Sequence, residues 1–166
     1  MRSRARIASV PPDVSPRSSL NRHYFALSFA LAAGGCAAGP THVFLPGPDG
    51  PTAVSVTDLT NEYPIPNHQN IHPTLLGQTE ALSYHVIQIR GGETPHTHAE
   101  HDVVVTLLSG QGTLHVEGHA MPLKAGDTAM VRRGQVHFFI NTGDVPAAAF
   151  ATFAPPYDGR DNVPAD

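Results

Sequence analysis

The sequence predicts an all-β fold, an antiparallel sandwich or barrel, and three observations carry that prediction. Gly (15) and Pro (16) punctuate a chain of 166 residues, so turn-forming positions are plentiful. From Thr52 onward Pro64, Pro66, Pro73, Pro95, Pro122, Pro146, Pro155 and Pro156 interrupt every window long enough for a helix. Between those breaks, short runs of β-branched and aromatic residues recur at regular spacing. At 17.6 kDa the chain has the length of one ordinary domain.

The N-terminal part reads differently. Arg17, Arg22 and His23 precede an apolar run over residues 24–33, followed by Gly34, Gly35 and Cys36. A basic start, a short apolar stretch and small residues at its end form an export signal. The run is too short to span a bilayer, which takes about 20 apolar residues. The stretch Ala33-Gly34-Gly35-Cys36 resembles a bacterial lipobox, with Ala33 where that pattern prefers Leu, and Cys36 is the chain's single cysteine. The expected organisation is a signal peptide with an N-terminal extension over residues 1–35, a flexible linker over 36–51 and one β domain over 52–166. The domain would be exported to the bacterial periplasm and tethered to the membrane by a lipid on Cys36.

Charge points the same way. The formal net charge is −4. Removing residues 1–35 takes away Arg2, Arg4, Arg6, Arg17 and Arg22 but only Asp13 from the acidic set, leaving a strongly acidic body. Such a body, with five basic residues left, is poorly suited to neutralising phosphates, which argues against nucleic acid as a partner. Contact with a membrane then rests on the lipid anchor, not on a basic patch.

Within the domain, strands are predicted over residues 84–89, 103–108, 112–116, 128–131, 136–140 and 147–153. The turns between them contain Gly91-Gly92, Ser109-Gly110, Glu117-Gly118, Gly126-Asp127, Arg133-Gly134 and Gly143-Asp144. The run 103–108 is apolar on both faces apart from Thr106 and reads as a central strand.

Histidine is the compositional outlier, with 11 copies. His96 and His98 flank Thr97, and positions i and i+2 of an extended strand project from one face. His101 and Asp102 follow closely, and His137 opens a later apolar strand. Imidazoles and a carboxylate drawn from two strands and a loop form a plausible divalent transition-metal site, with coordination positions left for water or substrate.

Two stretches resemble the motifs of the cupin superfamily, in order and separated by a hairpin. The first cupin motif is Gly, five residues, His-x-His, three or four residues, Glu, six residues, Gly; here Gly91 or Gly92 precedes His96-Thr97-His98 and Ser109-Gly110 closes the stretch. The second is Gly, five residues, Pro-x-Gly, two residues, His, three residues, Asn. Gly126, Gly134, His137 and Asn141 match every spacing of it, and Arg132 replaces the Pro. The resemblance covers residues 84–154. It implies a double-stranded β-helix (a jelly-roll barrel) with Fe, Mn, Ni, Zn or Cu in its mouth, and pairing through an outer sheet into a homodimer.

The departure from the family lies at its Glu. Counting back from Gly110 places that position on Val103, which cannot bind an ion; counting forward from His98 places it on Asp102. A regular strand turns His101 inward with Val103 and Asp102 outward, whereas a β-bulge would re-aim Asp102 inward. The metal set is therefore His96, His98 and His137, with Asp102, His101 or neither in the fourth position.

Other residues read more plainly. Glu93 and Glu100 are solvated loop charges; His85, His115 and His119 occupy strand surfaces or turns, with His85 able to line a cavity. His42, His68 and His72 have no spacing logic. Asn141 fixes a turn, and Phe138, Phe139 and Phe150 pack. No phosphate-binding loop or nucleophile–base pair is evident. The resemblance implies a metal-dependent enzyme, of oxygenase type or an isomerase, acting on a small organic molecule. The alternatives are a non-catalytic module that binds a small molecule or metal, and a tethered scaffold. An enzyme requires a further titratable group beside the metal, and Glu93, Glu100 or whichever of His101 and Asp102 is not a ligand are the available choices.

Overall fold

The computed structural model describes residues 41–47 and 49–165. The expected export signal and residues 36–40 of the expected linker, Cys36 among them, lie outside the described residues. The elements run β1 (His42–Leu45), β2 (Thr52–Ser55), α1 (Val56–Glu62), β3 (Ile71–Gln78), β4 (Ser83–Ile89), β5 (His96–Thr97) and β6 (Asp102–Ser109). They continue with β7 (Gln111–Val116), β8 (His119–Lys124), β9 (Thr128–Val131), β10 (His137–Asn141), β11 (Ala147–Ala154) and β12 (Val163–Pro164).

Two five-stranded antiparallel sheets face each other, ordered β12-β5-β10-β7-β8 and β3-β4-β11-β6-β9. The alternation of burial along the strands follows from the pleat. Ile89, Leu107, Leu114, Phe139 and Ala149 turn inward and are buried together. The six predicted strands are all present, within a residue or two at their ends.

Three features depart from the sequence reading. Residues 42–45, placed in the linker, form β1 and pair with β2 from His42↔Ser55 to Leu45↔Thr52. A short helix, α1, follows because Ser55 caps it, accepting a hydrogen bond from the Asp58 N–H at 3.2 Å. It ends before Pro64, so the proline that argued against a helix only limits its length. Buried Val56 and Leu59 of α1 pack with Val86 and Ala148 against the outer face of the second sheet. The third departure is at β6: it is an interior strand, paired with β11 and β9, but only one of its two apolar faces is buried. Val103 and Leu107 are buried while Val104 on the opposite face is 40 % exposed.

The stretch between α1 and β3 is held by Arg90, whose guanidinium donates to the carbonyls of Ile65 at 3.0 Å and Gln69 at 2.9 Å. Asn141 ties the turn beside it, donating to Arg90 O and Val145 O and accepting from the Gly143 N–H.

Candidate metal centre

His96 and His137 stand directly opposite each other across the β5–β10 pair. His98 follows β5 on the loop to β6, where its carbonyl accepts from the Gly134 N–H at 2.7 Å. That bond joins the turn preceding β10 to the loop following β5, so both motifs deliver their histidines to one place. All three side chains are buried, and each offers a ring nitrogen, the three lying within 4.8 Å of one another. Ring centroids are 4.3 Å apart for His96 and His137, 5.1 Å for His96 and His98, and 5.2 Å for His98 and His137.

The orientation of each ring is set from behind. The Nδ1–H of His96 donates to Thr94 O at 2.9 Å, that of His137 to Gln135 O at 2.9 Å, and that of His98 to Asp161 O. A backbone carbonyl on Nδ1 fixes the tautomer and leaves the Nε2 lone pair free, the arrangement common to metal-binding histidines. Burial pushes His137 down to about 4 and lowers His98 as well, so these imidazoles are neutral at ordinary pH. Neutral, convergent, pre-oriented imidazoles fit a divalent transition metal.

The two candidates for a fourth position lie elsewhere. Asp102 faces away from the three histidines and grips Arg133, accepting from its backbone N–H at 2.9 Å and from Nη2 at 2.9 Å. The Arg133 hydrogen bonds hold the Asp102 carboxyl down at about 2. No bulge re-aims it: β6 begins in regular register with β11 at Asp102↔Ala154. His101 is buried on the inward side, as strand parity required, yet both its nitrogens face oxygen acceptors. Nδ1 donates to Asp161 Oδ2 at 2.5 Å and Nε2 lies 3.2 Å from Pro156 O, so neither is free for an ion.

Of the residues the sequence offers as a further titratable group, Glu93 takes a place at the site. Glu93 lines a hollow of about 70 Å³ together with His96, His98 and His137. Its backbone N–H donates to Phe139 O at 2.8 Å and its Oε2 accepts from the Phe139 N–H at 2.8 Å, clamping the loop before β5 onto β10. Burial raises the Glu93 carboxyl, outweighing the nearby His96 imidazole and the Phe139 N–H. The rest of the hollow is hydrocarbon, including Val103, Leu107, Leu114 and Phe153. Glu93, His96 and His98 also border an outer cleft with Tyr157 and Asn162, which connects the histidines to the surface. His85 is buried next to the site but bonds to Ser83 Oγ at 3.0 Å and packs edge-on against Phe153.

Two facing antiparallel sheets with a three-histidine pocket between them define a double-stranded β-helix of the metal-site type. Residues 83–153 match the Cupin domain family. The chain is 41% identical over 95 residues to an uncharacterized protein of Aquifex aeolicus (strain VF5), spanning 57% of this chain and 78% of the relative. The match over residues 83–153 places the β domain of this chain in the cupin superfamily. Among solved structures it is similar to an uncharacterized conserved protein with a double-stranded β-helix domain from Klebsiella pneumoniae, at 26% identity and a TM-score of 0.53 over 64% of this chain and 95% of that one. It is also similar in fold to the Streptomyces nucleoside dehydratase Pac13, at 20% identity and a TM-score of 0.50 over 60% of this chain and 81% of that one.

Proposed function

We propose that this cupin is a metal-dependent enzyme, of oxygenase type, acting on a small organic molecule in the cell envelope. The observation that carries the reading is the convergence of His96, His98 and His137 with every Nδ1 tied to a carbonyl. Three imidazoles would hold Fe, Mn, Ni, Zn or Cu through Nε2 and leave the remaining coordination positions open, as catalytic sites require. A divalent ion there would supply Lewis acidity to a substrate oxygen.

The chain's own residues supply the rest. Glu93 is the further titratable group that separates an enzyme from a passive binder. Its raised carboxyl suits it to hold or pass a proton next to the histidines. The hydrocarbon walls keep bulk water out, and a hollow of about 70 Å³ limits what enters it to a few heavy atoms. A bulkier substrate would lie in the outer cleft beside Tyr157 and present only its reacting end. Export through the N-terminal signal and a lipid on Cys36 would place this activity in the periplasm, on the membrane.

Elemental analysis of the native protein, followed by dioxygen uptake and mass spectrometry with a panel of small carboxylic and phenolic compounds, tests the reading. The expected result is roughly one transition-metal ion per chain and turnover abolished in Glu93→Gln with the ion retained. A native protein without metal would overturn it. Metal and ligand binding with no turnover in the wild type would favour the non-catalytic binding module, a reading supported by the mostly hydrocarbon lining of the hollow.

A further inference from the structure

Two of the three histidines are aligned by their own neighbourhood and one is not. Thr94 and Gln135, which hold His96 and His137, each lie two residues before the ring they orient. His98 sits just past the end of β5 and has no such local acceptor; its Nδ1 partner is the carbonyl of Asp161, 63 positions later.

We propose that Asp161 is a positioning residue for the metal centre, its carboxylate pinning the C-terminal segment so that its own carbonyl holds His98 in the ligating orientation. This rests on the metal reading above. The pin is built for the purpose. Asp161 Oδ1 accepts from the Ala99 N–H at 2.8 Å, and Oδ2 accepts from the Glu100 N–H at 2.8 Å and from His101 Nδ1 at 2.5 Å. Three successive residues after His98 thus converge on one carboxylate whose side chain is 10% exposed. Charge-assisted bonds of this kind are about twice as strong as neutral ones.

Little else fastens the segment from Asp158 onward. β12 is two residues long, pairing Val163 with Thr97 and Pro164 with His96, and Val163 is 48% exposed. One further bond, from the Ala165 N–H to Pro95 O at 3.0 Å, ties the segment beyond β12. Hydrophobic burial therefore does not hold it there. Tyr157, stacked on Phe153, marks where the firmly packed chain ends. His101 finds its role here: it is a donor to the pin, not a ligand.

Binding and docking are then coupled, and the coupling is reciprocal. An ion on Nε2 of His98 favours the ring orientation that Asp161 O stabilises, so the ion tightens the C-terminal segment, and loosening the segment weakens the ion.

Calorimetric titration with Zn²⁺ of the full chain and of Asp161→Ala, in otherwise wild-type, His98→Ala and His137→Ala backgrounds, tests this. Asp161→Ala is expected to weaken Zn²⁺ about 10- to 100-fold. The loss should persist in the His137→Ala background and vanish in the His98→Ala background. Full additivity with His98→Ala, or unchanged affinity, would overturn the proposal. Hydrogen exchange of residues 157–165 in the wild type needs no variant: Zn²⁺ should slow it, and unaltered exchange on a protein that binds Zn²⁺ would count against the coupling. A wild type that binds no Zn²⁺, Ni²⁺ or Fe²⁺ would instead remove the metal reading itself.

Discussion

His96, His98 and His137 stand out among the chain's 11 histidines because each spends its Nδ1 on a backbone carbonyl and keeps Nε2 in a common buried space. Replacing any of them by Ala removes one of three donors, and bound metal by elemental analysis should fall sharply in each variant. Asp102→Ala is expected to leave metal content unchanged, because that carboxylate serves Arg133 at the surface. The same burial that prepares His137 as a ligand gives the metal-free protein a pH dependence. His137 is held down at about 4 in the folded chain, against an ordinary value of 6.5. Between those values the unfolded chain carries the extra proton, so acid favours unfolding. The contribution of His137 is complete above about pH 6.5 and is lost as pH falls towards 4. Thermal melts of the metal-free protein should show a midpoint declining through that window, and His137→Ala should flatten the decline.

At the scale of elements, the strands that build the inner walls were legible because they alternate and because Gly punctuates them, while the strands at the margins were not. Strands β5 and β12 are two residues each and have no period to detect. Helix α1 is legible only through Ser55 and Asp58, a cap signal that Pro64 concealed. The three histidines were readable from the His-x-His spacing together with the two motifs: β5 and β10 carry His96 and His137, and His98 follows on the loop after β5. Glu93 was legible only as one of several candidates, because alternation sets residues 93 and 96 on opposite faces and the chain becomes a strand only at His96. Asp161 was beyond reach for a different reason: its partners are about 60 positions away in sequence and its surroundings read as a polar tail. Two substitutions probe these elements. Ser55→Ala removes the acceptor for the Asp58 N–H and should cost about 1 kcal/mol in denaturant unfolding. Gly112→Ala is more severe, since a Cβ on β7 would overlap the Phe139 ring and the Ile140 carbonyl. Phe139 can yield only into the hollow and the Ile140 backbone cannot, so unfolding should ease by about 1–3 kcal/mol, with reduced space beside Glu93.

For the molecule as a whole, the site lies where strand pairing is sparse. One Cα pair, His137↔His96, joins β5 to β10, whereas β10 and β7 share five from His137↔Val116 to Asn141↔Gly112. Within the sheet β12-β5-β10-β7-β8, the end that carries the histidines thus has little backbone pairing of its own. An ion bridging His96, His98 and His137 would link β5, the loop after it and β10, adding to the Glu93–Phe139 and Gly134–His98 hydrogen bonds that already join them. Ligands that bind only the folded chain stabilise it by mass action, about 2.7 kcal/mol at a free concentration 100 times the Kd. Saturating Zn²⁺ should therefore raise the thermal midpoint by several degrees, and a chelator should return it to the starting value. The acidic surface offers other places for a cation, so the control lies in the variants. In His98→Ala the shift should shrink to what the surface alone provides, while Asp102→Ala, which removes a surface carboxylate, should keep it in full. A shift of equal size in wild type and His98→Ala would mean that the ion stabilises the fold from somewhere else, and that the three imidazoles are an internal packing feature of the barrel.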